Sequence, residues 1–144
     1  MARGDGSAAD RDLAKLVTDT PTSQLLDEAL YDRARLAFDR HDWPTARAAL
    51  DELAIRPTSP LREPGMYLRC RIDLAADPTN AARCFAAYRD AFPRGPHDLD
   101  AGLQLVALTF KDGGCDAVRA SIDELAAAYP GTHSVEAWQD RCRP

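Results

Sequence analysis

Apolar side chains recur every three or four positions along most of this chain, which is the spacing of one face of an α-helix. The clearest run predicts a helix over residues 22–40 that ends at the corner Arg40-His41-Asp42. The side chains that fall on its successive turns are Leu26, Ala29, Leu30, Arg33, Ala34, Ala37 and Phe38. No segment shows the alternating valine-rich pattern of a strand. The pattern therefore predicts an all-α fold.

Prolines and glycines divide the rest of the chain into further helices. Asp42 is a suitable N-cap for a second helix, which tolerates Pro44 in its first turn because the amides there have no intrahelical partner. The later breaks predict helices over 63–76, from Pro78 onward, over 97–111 and 115–129 with a turn at Gly113-Gly114, and a short seventh helix containing Val135 and Trp138. The residues expected in the core are Leu30, Ala34, Ala46, Leu50, Leu53, Leu68, Ile72, Ala81, Phe85, Val106, Ile122, Leu125 and Trp138.

The first 20 residues are more polar than the rest. Only Leu13, Leu16 and Val17 have the spacing of a short amphipathic helix. We expect residues 1–20 to be a flexible leader that contains at most this one short helix. The helical domain is then expected to occupy residues 21–144.

The second, fourth and sixth helices share one pattern at a nearly constant offset, which indicates an internal repeat. Ala46, Leu50 and Leu53 fall on Ala81, Phe85 and Tyr88 after about 35 residues, and on Val118, Ile122 and Leu125 after about 37. Three copies of one helical hairpin are therefore predicted.

This repeat resembles the tetratricopeptide repeat, which is 34 residues long and consists of two antiparallel helices. The segment His41-Asp42-Trp43 resembles the turn before the second helix of that repeat, and Ala46, Leu50 and Leu53 match its small and large positions. The segments Ala91-Phe92-Pro93 and Ala128-Tyr129-Pro130 resemble the aromatic-proline close of repeats in bacterial envelope proteins and in some membrane-bound anti-sigma-like regulators. The similarity covers about residues 24–142. It departs from the family at Arg69 and Val106, which stand where a small residue such as Ala34 is expected.

The resemblance implies stacked antiparallel hairpins, three repeats plus a capping helix, that form a short α-solenoid. Such solenoids bind extended partners on the concave surface lined by the first helix of each repeat. By the repeat register, the residues on that surface are Tyr31, Arg35, Met66, Asp73, Leu103 and Phe110. The alternative for each position is an ordinary packing or solvated residue.

Charge and motifs exclude several other functions. The formal net charge of -5 leaves no excess of cations for phosphate neutralisation, so no nucleic-acid partner is expected. No apolar run is long enough for a membrane helix, so direct membrane insertion is not expected either.

His41, His97 and His133 do not have zinc-ligand spacing, so neither a metal nor a cofactor is predicted. The acidic segment His97-Asp98-Leu99-Asp100 is interpreted as a helix cap. Catalytic motifs are missing, and we predict no enzyme activity.

The four cysteines allow two interpretations. They are either small core residues with free thiols or the two disulfides Cys70–Cys84 and Cys115–Cys142. The second interpretation follows from hairpin geometry, because residues equidistant from a turn face each other. Cys70 and Cys84 are equally far from Asp77, and Cys115 and Cys142 lie at the ends of neighbouring antiparallel helices. Disulfides would favour a periplasmic or extracellular location and free thiols the cytoplasm.

The leading functional hypothesis is a non-catalytic module that binds a peptide or helix of a partner protein, as part of a bacterial regulatory or envelope assembly. The arginine-rich, lysine-poor composition is typical of a GC-rich bacterial genome, since Lys15 and Lys111 are the only lysines. The alternative hypothesis is a structural domain that associates with copies of itself. A third, a small enzyme or ligand-binding bundle, lacks any convergent set of polar residues.

Overall fold

The computed structural model describes residues 3–19 and 24–144, and within those ranges the helices are connected by turns and no strand is present. The helices are α1 Arg3–Asp19, α2 Gln24–Asp39, α3 Trp43–Ala54, α4 Arg62–Ala76, α5 Pro78–Ala91, α6 Asp98–Ala128 and α7 His133–Arg141. They form two compact units, of which the first ends at Asp77 and the second begins at Pro78. The predicted all-α fold is confirmed.

In the first unit, α2 and α3 form an antiparallel hairpin whose turn follows from local chemistry. His41 adopts a left-handed conformation, with φ 59°, and ends α2. The amide of His41 donates to Phe38 O at 2.9 Å and that of Asp42 to Ala37 O at 2.8 Å, which together make a Schellman motif. Asp42 then accepts a hydrogen bond from Thr45 N at 3.3 Å and caps α3, as predicted.

The remaining helices of the first unit pack on both sides of this hairpin. The helix α4 contacts α3 and also α2. At the α3–α4 crossing a Cβ on Gly65 would lie only 2.8 Å from Leu53 Cδ2, so glycine permits the close approach. The apolar core of the unit contains Leu26, Leu30, Ala34, Ala37, Ala46, Ala49, Leu50, Leu53, Leu68 and Ile72.

The helix predicted near Leu13 is α1, which is 17 residues long and packs along α2. Leu13 is half-buried, whereas the side chains of Leu16 and Val17 lie outside the described part of the chain. The predicted starts of the domain at residue 21 and of its first helix at residue 22 also lie outside the described residues.

The second unit consists of α5, α6 and α7. The long helix α6 bends at Gly114, whose φ of 66° and ψ of -162° are not helical, so it has two arms, 98–113 and 115–128. These arms are the two helices that the sequence predicts on either side of Gly113-Gly114. They pack so closely that a Cβ on Gly102 would lie 2.6 Å from Leu125 Cδ2. The core here contains Val106, Val118, Ile122, Leu125, Val135 and Cys142.

The predicted core residues are buried with one exception. Trp138 is only half-buried, because its ring lies at the edge of the second unit's core against Phe110, with ring centroids 5.3 Å apart. The period of α7 places Trp138 toward α6 but cannot show that the core ends there.

Candidate docking surface

The predicted binding residues of the first unit lie on α2 and α4. Tyr31 is half-buried and packs against the core, while Arg35 is exposed one turn later on α2. The Arg35 guanidinium lies 5.9 Å from the centre of the Tyr31 ring and 3.9 Å from Asp32 Oδ1. Met66 is half-buried near the start of α4.

Asp73, the fourth predicted residue of this unit, is occupied by an internal ion pair. Its carboxylate accepts a hydrogen bond from Arg47 Nη2 of α3 at 3.1 Å. The residue is half-buried, so it connects α3 with α4 in addition to any contact with a partner. The repeat register predicts on which side of α4 Asp73 lies. It cannot predict the ion pair with Arg47, because that contact depends on how α3 packs against α4.

A contact that the sequence did not predict connects α2 directly with α4. The guanidinium of Arg71 lies 4.8 Å from the centre of the Phe38 ring, a cation–π geometry. Phe38 also makes an edge contact with Trp43, with centroids 5.5 Å apart, and His41 stacks on Trp43 at 5.2 Å. We call the surface formed by Tyr31, Arg35, Phe38, Met66 and Arg71 the α2–α4 face.

The other two predicted residues, Leu103 and Phe110, belong to the second unit. Both pack against its core from the first arm of α6. The Phe110 ring is covered by the Arg141 guanidinium, which lies 4.3 Å from its centre and 5.2 Å from the centre of Trp138. The predicted residues of the first unit therefore lie on α2 and α4, two helices that contact each other, and those of the second unit lie on α6.

A second concave feature of the first unit runs between α1 and α2, and we call it the α1–α2 groove. Its lining residues are Ala9, Asp12, Leu13, Asp32, Arg35, Leu36 and Asp39. The three apolar members are half-buried and form its floor, whereas the four charged ones are exposed at its rim. Arg35 belongs both to this groove and to the α2–α4 face.

The second unit contains a buried polar network centred on Asp98. Its carboxylate accepts a hydrogen bond from Arg89 Nε at 2.8 Å and another from the Tyr129 hydroxyl. Asp98 is 3% exposed and does not cap α6, whose N-cap is His97 without a side-chain hydrogen bond. The segment therefore does begin α6, with Asp98 and Asp100 in its first turn, but Asp98 is not its cap: the carboxylate connects α5 with Tyr129, the residue after α6.

The protonation of this network follows from its contacts. Burial disfavours the charged form of Asp98, but the hydrogen bonds from Arg89 and Tyr129 outweigh it, so the pKa of Asp98 is lowered. Burial and the hydrogen bond to Asp98 both raise the pKa of Tyr129. At neutral pH the unit therefore holds an aspartate anion against an arginine and a neutral tyrosine.

We expect the Asp98→Asn variant to remove part of the acid dependence of stability. Because the folded-state pKa is below the unfolded value of about 3.9, the wild-type carboxylate contributes stability above that pH and loses it as the pH falls through the folded pKa. Urea unfolding measured between neutral pH and the acid limit should show the variant less stable at neutral pH and the difference narrowing below about pH 4. A constant difference across this range would contradict the assignment.

The cysteines of the second unit form a disulfide between the second arm of α6 and the end of α7. Cys115 and Cys142 have their Cα atoms 5.2 Å apart, within the range that a bridge requires. Cys70 and Cys84 are disulfide-bonded as well, and no described cysteine has a free thiol. The prediction of two disulfides is confirmed.

The described residues contain no cluster of three or more histidine, cysteine or acidic side chains that would hold a metal ion. Nor is any helix in the described ranges both long enough and apolar enough to cross a membrane. No known family model and no curated protein sequence matches this chain.

Proposed function

We propose that this chain is a non-catalytic protein-interaction module that binds a peptide or helix of a partner protein on the α2–α4 face. The observation that carries the proposal is the helix order of the first unit, in which α4 packs against both α3 and α2. Consecutive hairpins of a helical solenoid pack in this way, and their first helices share an open surface. The tetratricopeptide-like pattern of the sequence supports the same arrangement.

The chemistry of this face suits protein recognition. Tyr31 and Phe38 are half-buried aromatic residues, and Arg35 and Arg71 lie over their rings. Aromatic and arginine side chains contribute much of the binding energy in protein interfaces, because they combine a large contact area with polar groups. Their packing against the core fixes them before a partner arrives, so less ordering entropy is lost on binding.

The supporting structure around the face is held by ion pairs as well as by apolar contacts. Arg47 on α3 pairs with Asp73 on α4, and Arg69 on α4 pairs with Asp51 on α3. Asp27, which is 6% exposed, pairs with Arg56 just beyond α3. These contacts keep the helices of the first unit in a fixed order, as display of a binding surface requires.

The two disulfides favour function in an oxidising compartment, the periplasm or the cell exterior, where such bonds persist. We therefore place the module in a bacterial envelope or regulatory assembly, in agreement with the envelope-type close at Ala91-Phe92-Pro93.

The self-association alternative rests on two exposed apolar side chains. Leu25 is 55% exposed and Ile55 is 79% exposed, and both lie at the end of the α2–α3 hairpin that is distant from its turn. A mass in solution that does not depend on concentration would exclude this alternative.

We expect Tyr31→Ala and Met66→Ala to weaken binding of a peptide selected from a random display library against the full chain. Each substitution removes contact area at the α2–α4 face and should raise the dissociation constant about five- to tenfold, an ordinary effect for an interface side chain. Isothermal titration calorimetry measures it, with Gln104→Ala on α6 as the matched control. Circular dichroism at the assay temperature should show unchanged helicity.

Failure to select any peptide would contradict the proposal. So would a selected peptide whose affinity falls with Gln104→Ala and is unchanged by both Tyr31→Ala and Met66→Ala.

A further inference from the structure

The α1–α2 groove combines an apolar floor with a charged rim. Ala9 and Leu13 of α1 and Leu36 of α2 supply half-buried apolar side chains. Above them stand the exposed side chains of Asp12, Asp32, Arg35 and Asp39. Three carboxylates therefore share the rim with one guanidinium.

The wall formed by α1 is anchored to α2 by ion pairs away from the rim. Asp10 Oδ1 lies 3.4 Å from Arg33 Nε, and Asp10 Oδ2 lies 3.4 Å from Arg40 Nη2. Asp10 therefore pairs with both arginines. The anchor also fixes α1 along α2, so the groove is formed before any partner binds.

The negative charge at the rim is only partly compensated. Arg35 lies 3.9 Å from Asp32, at the outer limit of an ion pair, and also over the Tyr31 ring. Asp12 and Asp39 have no hydrogen bond or ion pair to any described residue. Two solvated carboxylates therefore flank the apolar floor, and neither has a partner among the described residues.

The spacing of the carboxylates along α2 indicates which kind of partner fits the groove. Asp32 and Asp39 are seven residues apart, which is about two helical turns or about 10 Å. A helix with basic residues two turns apart on one face and apolar residues between them matches this spacing. The aliphatic stems of lysine or arginine would cover the floor while their charges reach the carboxylates.

We propose that the α1–α2 groove binds a basic amphipathic helix of a partner protein. The groove is a second surface that shares only Arg35 with the α2–α4 face, so this inference goes beyond the proposed function. Leu13 and Leu36 contact the apolar side chains of that helix. Asp32 and Asp39 pair with its basic residues two turns apart, and Asp12 adds a negative charge from α1. Association through these exposed pairs weakens as ionic strength rises.

The test uses the full chain and three fluorescently labelled peptides of equal length in an anisotropy titration. The first peptide carries lysines two turns apart with leucines between them, the second replaces those lysines by glutamates, and the third replaces the leucines by serines. We expect the first peptide to bind at least about tenfold more tightly than the other two, because only it satisfies both the rim and the floor.

The variant Asp12→Asn with Asp39→Asn should weaken binding of the first peptide about three- to tenfold at low ionic strength, given the modest strength of each exposed pair. The matched control is Glu52→Gln with Asp123→Asn, which removes the same charge from exposed positions outside the groove. Equal weakening by both double variants would show attraction to net charge alone and would overturn the inference.

Tighter binding of the glutamate or serine peptide would also overturn the inference, as would the absence of binding by all three. Neither result affects the proposed function if display selection still yields a peptide that depends on Tyr31 and Met66. Failure of that selection as well would remove the proposed function itself.

Discussion

Replacing Leu50 by alanine is expected to lower the free energy of unfolding by about 2–5 kcal/mol. Leu50 lies in α3, is 3% exposed and belongs to the core that joins α2, α3 and α4. Gly65 of α4 approaches it closely, since a Cβ there would lie 3.6 Å from Leu50 Cδ2. The removed methyl groups would therefore leave a cavity where two helices cross.

The chain offers a matched control and a local probe for this measurement. Leu25→Ala makes the same chemical change on α2 at a side chain that is 55% exposed, so its effect should stay within about 0.5–1 kcal/mol. Each unit has one tryptophan, Trp43 and Trp138, so in a Trp138→Phe background urea unfolding followed by fluorescence reports on the first unit. Equal losses for Leu50→Ala and Leu25→Ala would contradict the packing described for α3.

Replacing both Cys115 and Cys142 by serine is expected to lower the stability of the second unit by about 3–4 kcal/mol in the chain-entropy account of disulfides. The two residues are 27 positions apart, so the bridge closes a loop that contains the second arm of α6 and all of α7. Without the bridge, that loop regains its freedom in the unfolded chain. The change also places a polar hydroxyl at position 142, where the side chain is buried.

Urea unfolding of this double variant in a Trp43→Phe background measures the loss through Trp138. Ser121→Ala on the same arm of α6 is exposed and serves as the control, with an expected change within about 0.5 kcal/mol. Peptide mapping of the oxidised wild type should recover the fragments around 115 and 142 joined to each other. Wild-type protein whose stability does not change on reduction would contradict the contribution assigned to this bridge.

The helices were predictable because capping residues, prolines and glycines close to each helix end determine where the helix begins and ends. Asp42 with Thr45, Pro78 at the first position of α5 and the left-handed Gly114 each act within a few residues of the chain. The repeat register adds the buried positions Ala46, Leu50 and Leu53 of α3 and their counterparts in α5 and in the second arm of α6. Each of these signals depends on neighbours in sequence.

The buried network of Asp98 could not be predicted in the same way. Its partners Arg89 and Tyr129 are 9 and 31 positions away, and an aspartate at the start of a helix resembles a cap in sequence. Asp98 is only 3% exposed because α5 packs against α6. This burial places its carboxylate in an ion pair with Arg89.

The candidate surface was predictable only in part. The register gives Tyr31 and Met66, but it does not show that Asp73 pairs with Arg47 or that Arg71 lies over Phe38. The α1–α2 groove was missed because it depends on where the polar N-terminal helix docks. The sequence does not show that Asp10, rather than the nearby Asp12, forms the ion pairs that hold α1 against α2.

The most direct test of the binding account is a chemical-shift map of the full chain, labelled with ¹⁵N and titrated with the display-selected peptide. We expect the largest changes on the α2–α4 face, around Tyr31, Arg35 and Met66, with the amides of α7 unchanged. Changes confined to α7 and the second arm of α6, with α2 and α4 unaffected, would contradict it.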